Sequence, residues 1–220
     1  MAYGQDLPPI SDGIRESLKF IDPSGVEIAL ADPDAYTDLP RWAVVAFAAR
    51  CAYRILPMIE AAWTEAPTEY KNSVVNASNF AARIGAGAFG RYGADNVYPG
   101  IDGCYDISGR PAVTCAAYSS GYAARAADGA SNAAGGSTPP YITIDVAAHS
   151  TASAAAYAAA AAAYGAIHGG SLEAFAAAMY LDYQLLAEAA GDEHWTDETT
   201  VPQTFFGQFW SNGAPDYWPE

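Results

Sequence analysis

At 220 residues, 51% hydrophobic and a net charge of −15, the chain is long enough to bury one sizeable core and too acidic to hold a phosphate backbone, which excludes direct nucleic-acid binding. All ten Lys and Arg residues lie at or before Arg125, so residues 126–220 carry eleven acidic side chains and no fixed positive charge. That half must be solvated, matched by the arginines of the first half, or matched by a basic partner.

Met1 to Ile10 is polar and proline-containing and lacks the basic-then-apolar run of a secretory signal, so a cytoplasmic location is expected. Leu18–Ile21 and Val26–Leu30 read as two short strands around Asp22-Pro23-Ser24-Gly25, where Pro pre-sets the turn and Gly relaxes its fourth position. A Pro/Asp-rich link, Asp32–Asp38, leads into a helix over Arg41–Leu56, with Asp38 expected as its cap and Pro40 in the first turn. Trp42, Val45, Ala49, Tyr53 and Leu56 form one apolar face of it and Val44, Phe47, Cys51 and Ile55 another. A helix apolar nearly all round is a central one.

Pro57 kinks or ends this helix, and Thr68–Ile84 is a second helix of weaker propensity. The stretch Gly85–Pro140 is rich in Gly, Ser and Asn, and within it only Pro111–Ala127 reads as helix. An alanine-dominated helix follows over Asp145–Ile167, closed by Gly169-Gly170. Ser171 then caps a helix with Leu172, Phe175, Met179, Tyr183, Leu186 and Ala190 on one stripe, stopped by Gly191. The tail, Asp192–Glu220, sets Trp195, Phe205, Phe206, Phe209, Trp210, Tyr217 and Trp218 among prolines and glycines, and that much aromatic surface is expected to pack back onto the helices.

The fold class that follows is mainly α: a single-domain helical bundle with a small N-terminal β-hairpin and an irregular aromatic C-terminal tail. Residues 1–36 form the hairpin segment, 37–191 the helical core with an insert at about 85–140, and 192–220 the tail.

Chemistry-bearing motifs are sparse. Gly85-x-Gly87-x-x-Gly90 matches the dinucleotide fingerprint by pattern, but a helix precedes it where a strand is required, so it reads as a helix exit. Cys51, Cys104 and Cys115 have no CxxC spacing, leaving a Cys104–Cys115 pair as the open alternative to free thiols. Asp192, Glu193, His194, Asp197 and Glu198 cluster carboxylates and an imidazole without the spacing of a calcium loop, so no metal and no cofactor is expected and a protein-contact patch is favoured. His149, His168 and His194 are scattered, and no catalytic residue is assigned. The uncharged run between Asp145 and Glu173 has the length of a membrane span but mostly alanine and no flanking Lys or Arg, so a buried helix is expected, with Tyr157 and Tyr164 on one face. Such a helix also suits ice binding or self-assembly.

Arg50 and Arg54, four apart on the central helix, must bury at least their stems. They read either as a structural ion pair with acids of the C-terminal half or as an anion-binding pocket.

Leu39-Pro40-Arg41-Trp42-Ala43, with Phe47-Ala48-Ala49-Arg50-Cys51-Ala52 and Arg54-Ile55-Leu56-Pro57, resembles the opening of a little-characterised group of bacterial, mostly helical proteins. Trp195-Thr196-Asp197-Glu198-Thr199 and Val201-Pro202 resemble the same group. Some of its relatives are labelled as immunity proteins of polymorphic toxin systems. The resemblance covers the two ends only, and the Tyr, Asn, Gly and Ser of the middle depart from it.

The expected function is therefore that of a non-enzymatic acidic binding protein whose partner is a basic protein, a toxin if the resemblance holds. Asp182, Glu188, Asp192, Glu193, Asp197 and Glu198 are the candidate docking acids and Trp195 the candidate anchor. The alternatives are a self-associating homo-oligomer built on the Ala-rich helix, and an enzyme or anion-binding protein with its site at Arg50 and Arg54. Acidity as an adaptation to salt also fits the composition.

Overall fold

A computed structural model describes residues 10–87, 110–134, 144–207, 209–210, 214–215 and 218. The expected mainly α architecture is the one found. A short helix α1 (Asp12–Ser17) precedes the antiparallel hairpin of β1 (Lys19–Ile21) and β2 (Glu27–Ala29), in register Lys19↔Ala29 and Ile21↔Glu27. Asp22 sets the turn: one carboxylate oxygen accepts from the backbone N–H of Ser24 at 2.9 Å and of Val26 at 2.8 Å. A 3₁₀ turn, Pro33–Tyr36, then leads to α2 (Arg41–Ile55), α3 (Pro57–Ala62) and α4 (Thr68–Gly85). Helices α5 (Pro111–Ala134), α6 (Ile144–His168) and α7 (Leu172–Asp192) follow, and a 3₁₀ turn, Gln203–Phe206, sits in the tail. Helix α5 runs about two turns past its expected end at Ala127; Gly129 and Asn132 lower helix propensity but do not stop it.

Helix α2 is the central element, packed by α4, α5, α6 and α7. Every residue from Trp42 to Ala52 is buried, as its two apolar faces require. Its cap is not Asp38. Pro40 occupies the cap position without a side-chain hydrogen bond, and the Arg41 N–H instead donates to Asp197 of the tail at 2.9 Å. A carboxylate at the positive end of a helix is favourable wherever in the sequence it comes from.

Helices α5 and α6 share the most extensive interface. Alanine makes this possible by letting backbones approach, and Ala116, Ala117, Ala123, Ala155, Ala158 and Ala162 among others are fully buried. A hydroxyl bonds across this contact, Ser119 donating to the Ala158 carbonyl at 2.9 Å, and another ties α5 to α4, Ser78 donating to Ser120 at 2.9 Å. Gly165 allows the equally close approach of α6 to α2, because a Cβ there would lie 1.8 Å from Ile55 Cδ1. Between α5 and α6 a slot of about 150 Å³ remains, lined by Tyr118, Tyr122, Tyr157 and Tyr164 with Cys115. Tyr157 and Tyr164 do share a face, and Tyr157 stacks on Tyr122 at 5.3 Å.

Two helices end in the same reversed-hydrogen-bond motif. At α6, Gly170 (φ +66°) lets Ser171 N–H reach the Ala166 carbonyl at 2.9 Å. Ser171 therefore closes α6, and its side chain makes no cap for α7. Helix α7 does not stop at Gly191. It runs to Asp192, and His194 (φ +53°) takes the left-handed position, so that Trp195 N–H bonds the Ala190 carbonyl at 2.8 Å. The turn at residues 193–195 needs one left-handed residue, and here a histidine fills it.

Beyond α7 the tail packs back as expected. Val201 is buried, and Phe205, Phe206 and Trp210 lie against the core.

Candidate functional site

The densest polar feature of the interior is built by α2 and α7. Spacing of four puts Arg50 and Arg54 on one side of α2, and both are buried, with relative exposures of 3% and 1%. Asp182, 2% exposed, faces them from α7. Its Oδ2 accepts from Arg50 Nε at 2.7 Å and from Arg54 Nη1. The structural ion pair, one of the two sequence readings, is what forms. Its carboxylate is Asp182, which had been assigned to an exposed docking face; burial removes it from that face.

The tail covers the pair. Arg50 Nη1 donates to the Phe205 carbonyl, while Arg54 Nε and Nη2 donate to the Phe209 carbonyl at 3.0 and 2.7 Å. The Arg50 guanidinium lies 4.8 Å from the Phe205 ring and 4.9 Å from the Phe209 ring, and that of Arg54 lies 5.4 Å from Trp210. Guanidinium groups favour such planar, stacked, donor-rich seats. Beside them, burial pushes the Cys51 thiol up, against the pull of Arg54, so it stays protonated and inert.

The glycine motif contributes to the same tail. Gly85 closes α4 and its carbonyl accepts from Val201 N–H at 3.0 Å. Gly87 (φ +85°) lies so close that a Cβ would stand 2.7 Å from Thr200 Cγ2. A helix exit that seats the tail accounts for the two described glycines; Gly90 lies outside the described residues.

The remaining candidate acids gather where α7 ends. Glu188, Asp192, Glu193, Asp197 and Glu198 are exposed. Asp197 is tied to Arg41 Nη2 at 3.1 Å as well as to its N–H, so it belongs to the fold's own bonding. Trp195 is half-buried against the core and donates from Nε1 to Glu193 at 2.8 Å. Among the described residues, Glu188, Asp192, Glu193 and Glu198 enter no ion pair, and the last turn of α7 holds no basic residue. Negative side chains there add to the negative end of the helix dipole, an arrangement that costs stability. The described residues hold no group of three His, Cys, Asp or Glu arranged for a metal.

Cys51 and Cys115 are free thiols, and burial pushes Cys115 to about 11; Cys104 lies outside the described residues. The stretch Arg41–Ala62 is long and apolar enough to cross a membrane by composition, and 83% of that window is buried inside the protein. The Ala-rich run singled out from sequence is likewise packed, against α5 and α2.

Asp182 was placed on the wrong face. It lies seven after Phe175, three after Met179 and four before Leu186, the spacing of the buried stripe itself, and that register was the available signal. The carbonyls of Phe205 and Phe209 carry no sequence signal at all. No protein-family model matches the chain, and no curated protein or solved structure matches it either.

Proposed function

We propose that this chain is a non-enzymatic binding protein that docks a basic protein partner through the acidic end of α7, in a cytoplasmic setting. One observation carries the reading: Glu188, Asp192, Glu193 and Glu198 stand exposed at and just beyond the end of α7, and among the described residues none of the four enters an ion pair. A fold selected for stability alone places Lys or Arg there. A cationic partner relieves that repulsion on binding, and complementary charge speeds the encounter. Trp195, held by Glu193, is the aromatic anchor at the rim of the patch. With Asp182 and Asp197 committed inside the chain, the patch is smaller than the run of acids in the sequence.

Neutralisation of a toxin is the specific form of this proposal, supported by the resemblance of the two end segments to proteins labelled as immunity factors. Among the described residues the alanines of α6 other than Ala161 are buried, packed chiefly against α5 and α2, which leaves self-assembly through them little support. Arg50 and Arg54 bond Asp182 and the tail, which leaves an open anion pocket without support.

The test is a variant carrying Glu188→Gln, Asp192→Asn, Glu193→Gln and Glu198→Gln. The expected result is a protein at least as stable as the parent that no longer captures basic proteins from native lysate at low salt. Undiminished capture by this variant, or capture by the parent that ignores salt, refutes the proposal.

A further inference from the structure

We propose that the slot between α5 and α6 is a binding site for an uncharged aromatic molecule of about one ring. The slot follows from the residue pattern on the two helices. Where alanine faces alanine the backbones close up, whereas here Tyr118 and Tyr122 of α5 and Tyr157 and Tyr164 of α6 line a gap whose other walls include the small side chains of Ala160 and Ala161. The space they leave, about 150 Å³, is that of an apolar cavity that stays dry and takes up benzene. Its walls are flat. Tyr118 and Tyr122 lie 6.2 Å apart at 21°, and Tyr122 and Tyr157 lie 5.3 Å apart at 30°. A planar guest extends that near-parallel series at the offset spacing that rings prefer, and a puckered aliphatic ring of the same size does not.

The lining also selects against charge. Among the described residues no acid or base lines the slot, and burial pushes the Cys115 thiol to about 11, so this wall is neutral at neutral pH. Its hydroxyls bond the chain's own backbone at two points: Thr114 donates to the Arg110 carbonyl at 3.2 Å, and Tyr164 accepts from the Ser11 N–H at 3.0 Å. A charged guest would lose its hydration and gain no counter-ion. Arg125 already places its guanidinium 5.3 Å from the Tyr122 ring, which disfavours a second cation there. None of the lining residues belongs to α7, so the site is independent of the acidic patch and of the function proposed for it.

Benzene titrated into the full-length chain, labelled with carbon-13 at the isoleucine δ1 methyls, tests this by NMR. Ile10 lines the slot and Ile84 of α4 does not. The expected result is a saturable shift of the Ile10 methyl with half-saturation near about 1 mM, the order that burying one benzene ring gives. A nuclear Overhauser effect from benzene to Ile10, and no matching shift at Ile84, accompany it. Cyclohexanol and tetramethylammonium, each at about tenfold excess over benzene, are expected to leave the shift in place. Ala161→Leu, which puts a branched side chain into the slot from a partly exposed position of α6, is expected to weaken benzene binding at least about tenfold. The proposal is overturned by the absence of a saturable Ile10 shift in the parent, by its reversal with either competitor, or by undiminished binding to a folded Ala161→Leu chain. Should that variant not fold, the parent titration and its two competitors decide the matter.

Discussion

Asp182 Oδ2 accepts the Nε–H of Arg50 at 2.7 Å and a donor of Arg54 as well, so one buried carboxylate oxygen joins two guanidinium groups one helical turn apart. Removing one partner of a buried ion pair costs more than the pair contributes, because the charge left behind keeps its desolvation penalty. Asp182→Asn is therefore expected to destabilise the chain by about 3–5 kcal/mol, measured by urea unfolding. Replacing Arg50, Arg54 and Asp182 together by Met, Leu and Leu is expected to cost much less than Asp182→Asn alone.

Gly165 faces Ile55 with no room for a methyl group. Gly165→Ala is expected to cost about 1–3 kcal/mol through overpacking. Ile55→Val removes the Cδ1 atom that the new methyl would meet, so a double-mutant cycle is expected to show a favourable coupling of at least about 0.5 kcal/mol. Additive effects would place the strain elsewhere.

His194 and Gly170 occupy equivalent positions in two helix ends. A side chain in the left-handed region costs roughly 1–2 kcal/mol. His194→Gly is expected to raise stability by up to about 1 kcal/mol, and Gly170→Ala to lower it by about the same amount. Thermal or urea midpoints moving in opposite directions for the two variants are the check.

Burial pushes the Tyr36 hydroxyl and the Cys51 thiol up, and pushes Cys115 to about 11. In the unfolded chain thiols ionise near 8.5 and phenols near 10. Above those values the unfolded state has released protons that the folded state retains. Stability from these groups is thus complete below about pH 8.5 and falls as pH rises toward the folded values, by up to about 1.4 kcal/mol per pH unit for each group. Urea midpoints at pH 7, 9.5 and 10.5 measure the decline, and Cys51→Ala is expected to make it shallower.

The helices and hairpin were legible because their signals are local. The all-round apolar pattern of Arg41–Leu56, the alanine run and the stripe from Phe175 to Leu186 depend on spacing within one element. That Arg50 and Arg54 would find an acid in the C-terminal half was legible too, from charge balance alone. Which acid was not, because Asp182 was grouped with its exposed neighbours by type instead of being placed by helical register. The cap of α2 was illegible for a different reason: Asp38 stands two residues ahead of Pro40, and the carboxylate that serves Arg41 comes from Asp197, 156 residues away. The same holds for Gly87, whose need for a bare Cα comes from Thr200. Ser171 and Gly191 misled because each is a standard boundary signal, while the carbonyls of α6 and the left-handed turn of His194 settled both ends.

The sequence distance between the central arginines and their carboxylate orders events during synthesis. Arg50 and Arg54 leave the ribosome 132 and 128 residues before Asp182. At about 5–20 residues per second, that is an interval of roughly 6–26 s. Throughout it α2 carries two guanidinium groups on what will be its buried side without the acid that permits their burial. The nascent chain therefore holds its central helix short of final packing until α7 has emerged, and the tail, made last, closes over a cluster that only then is complete.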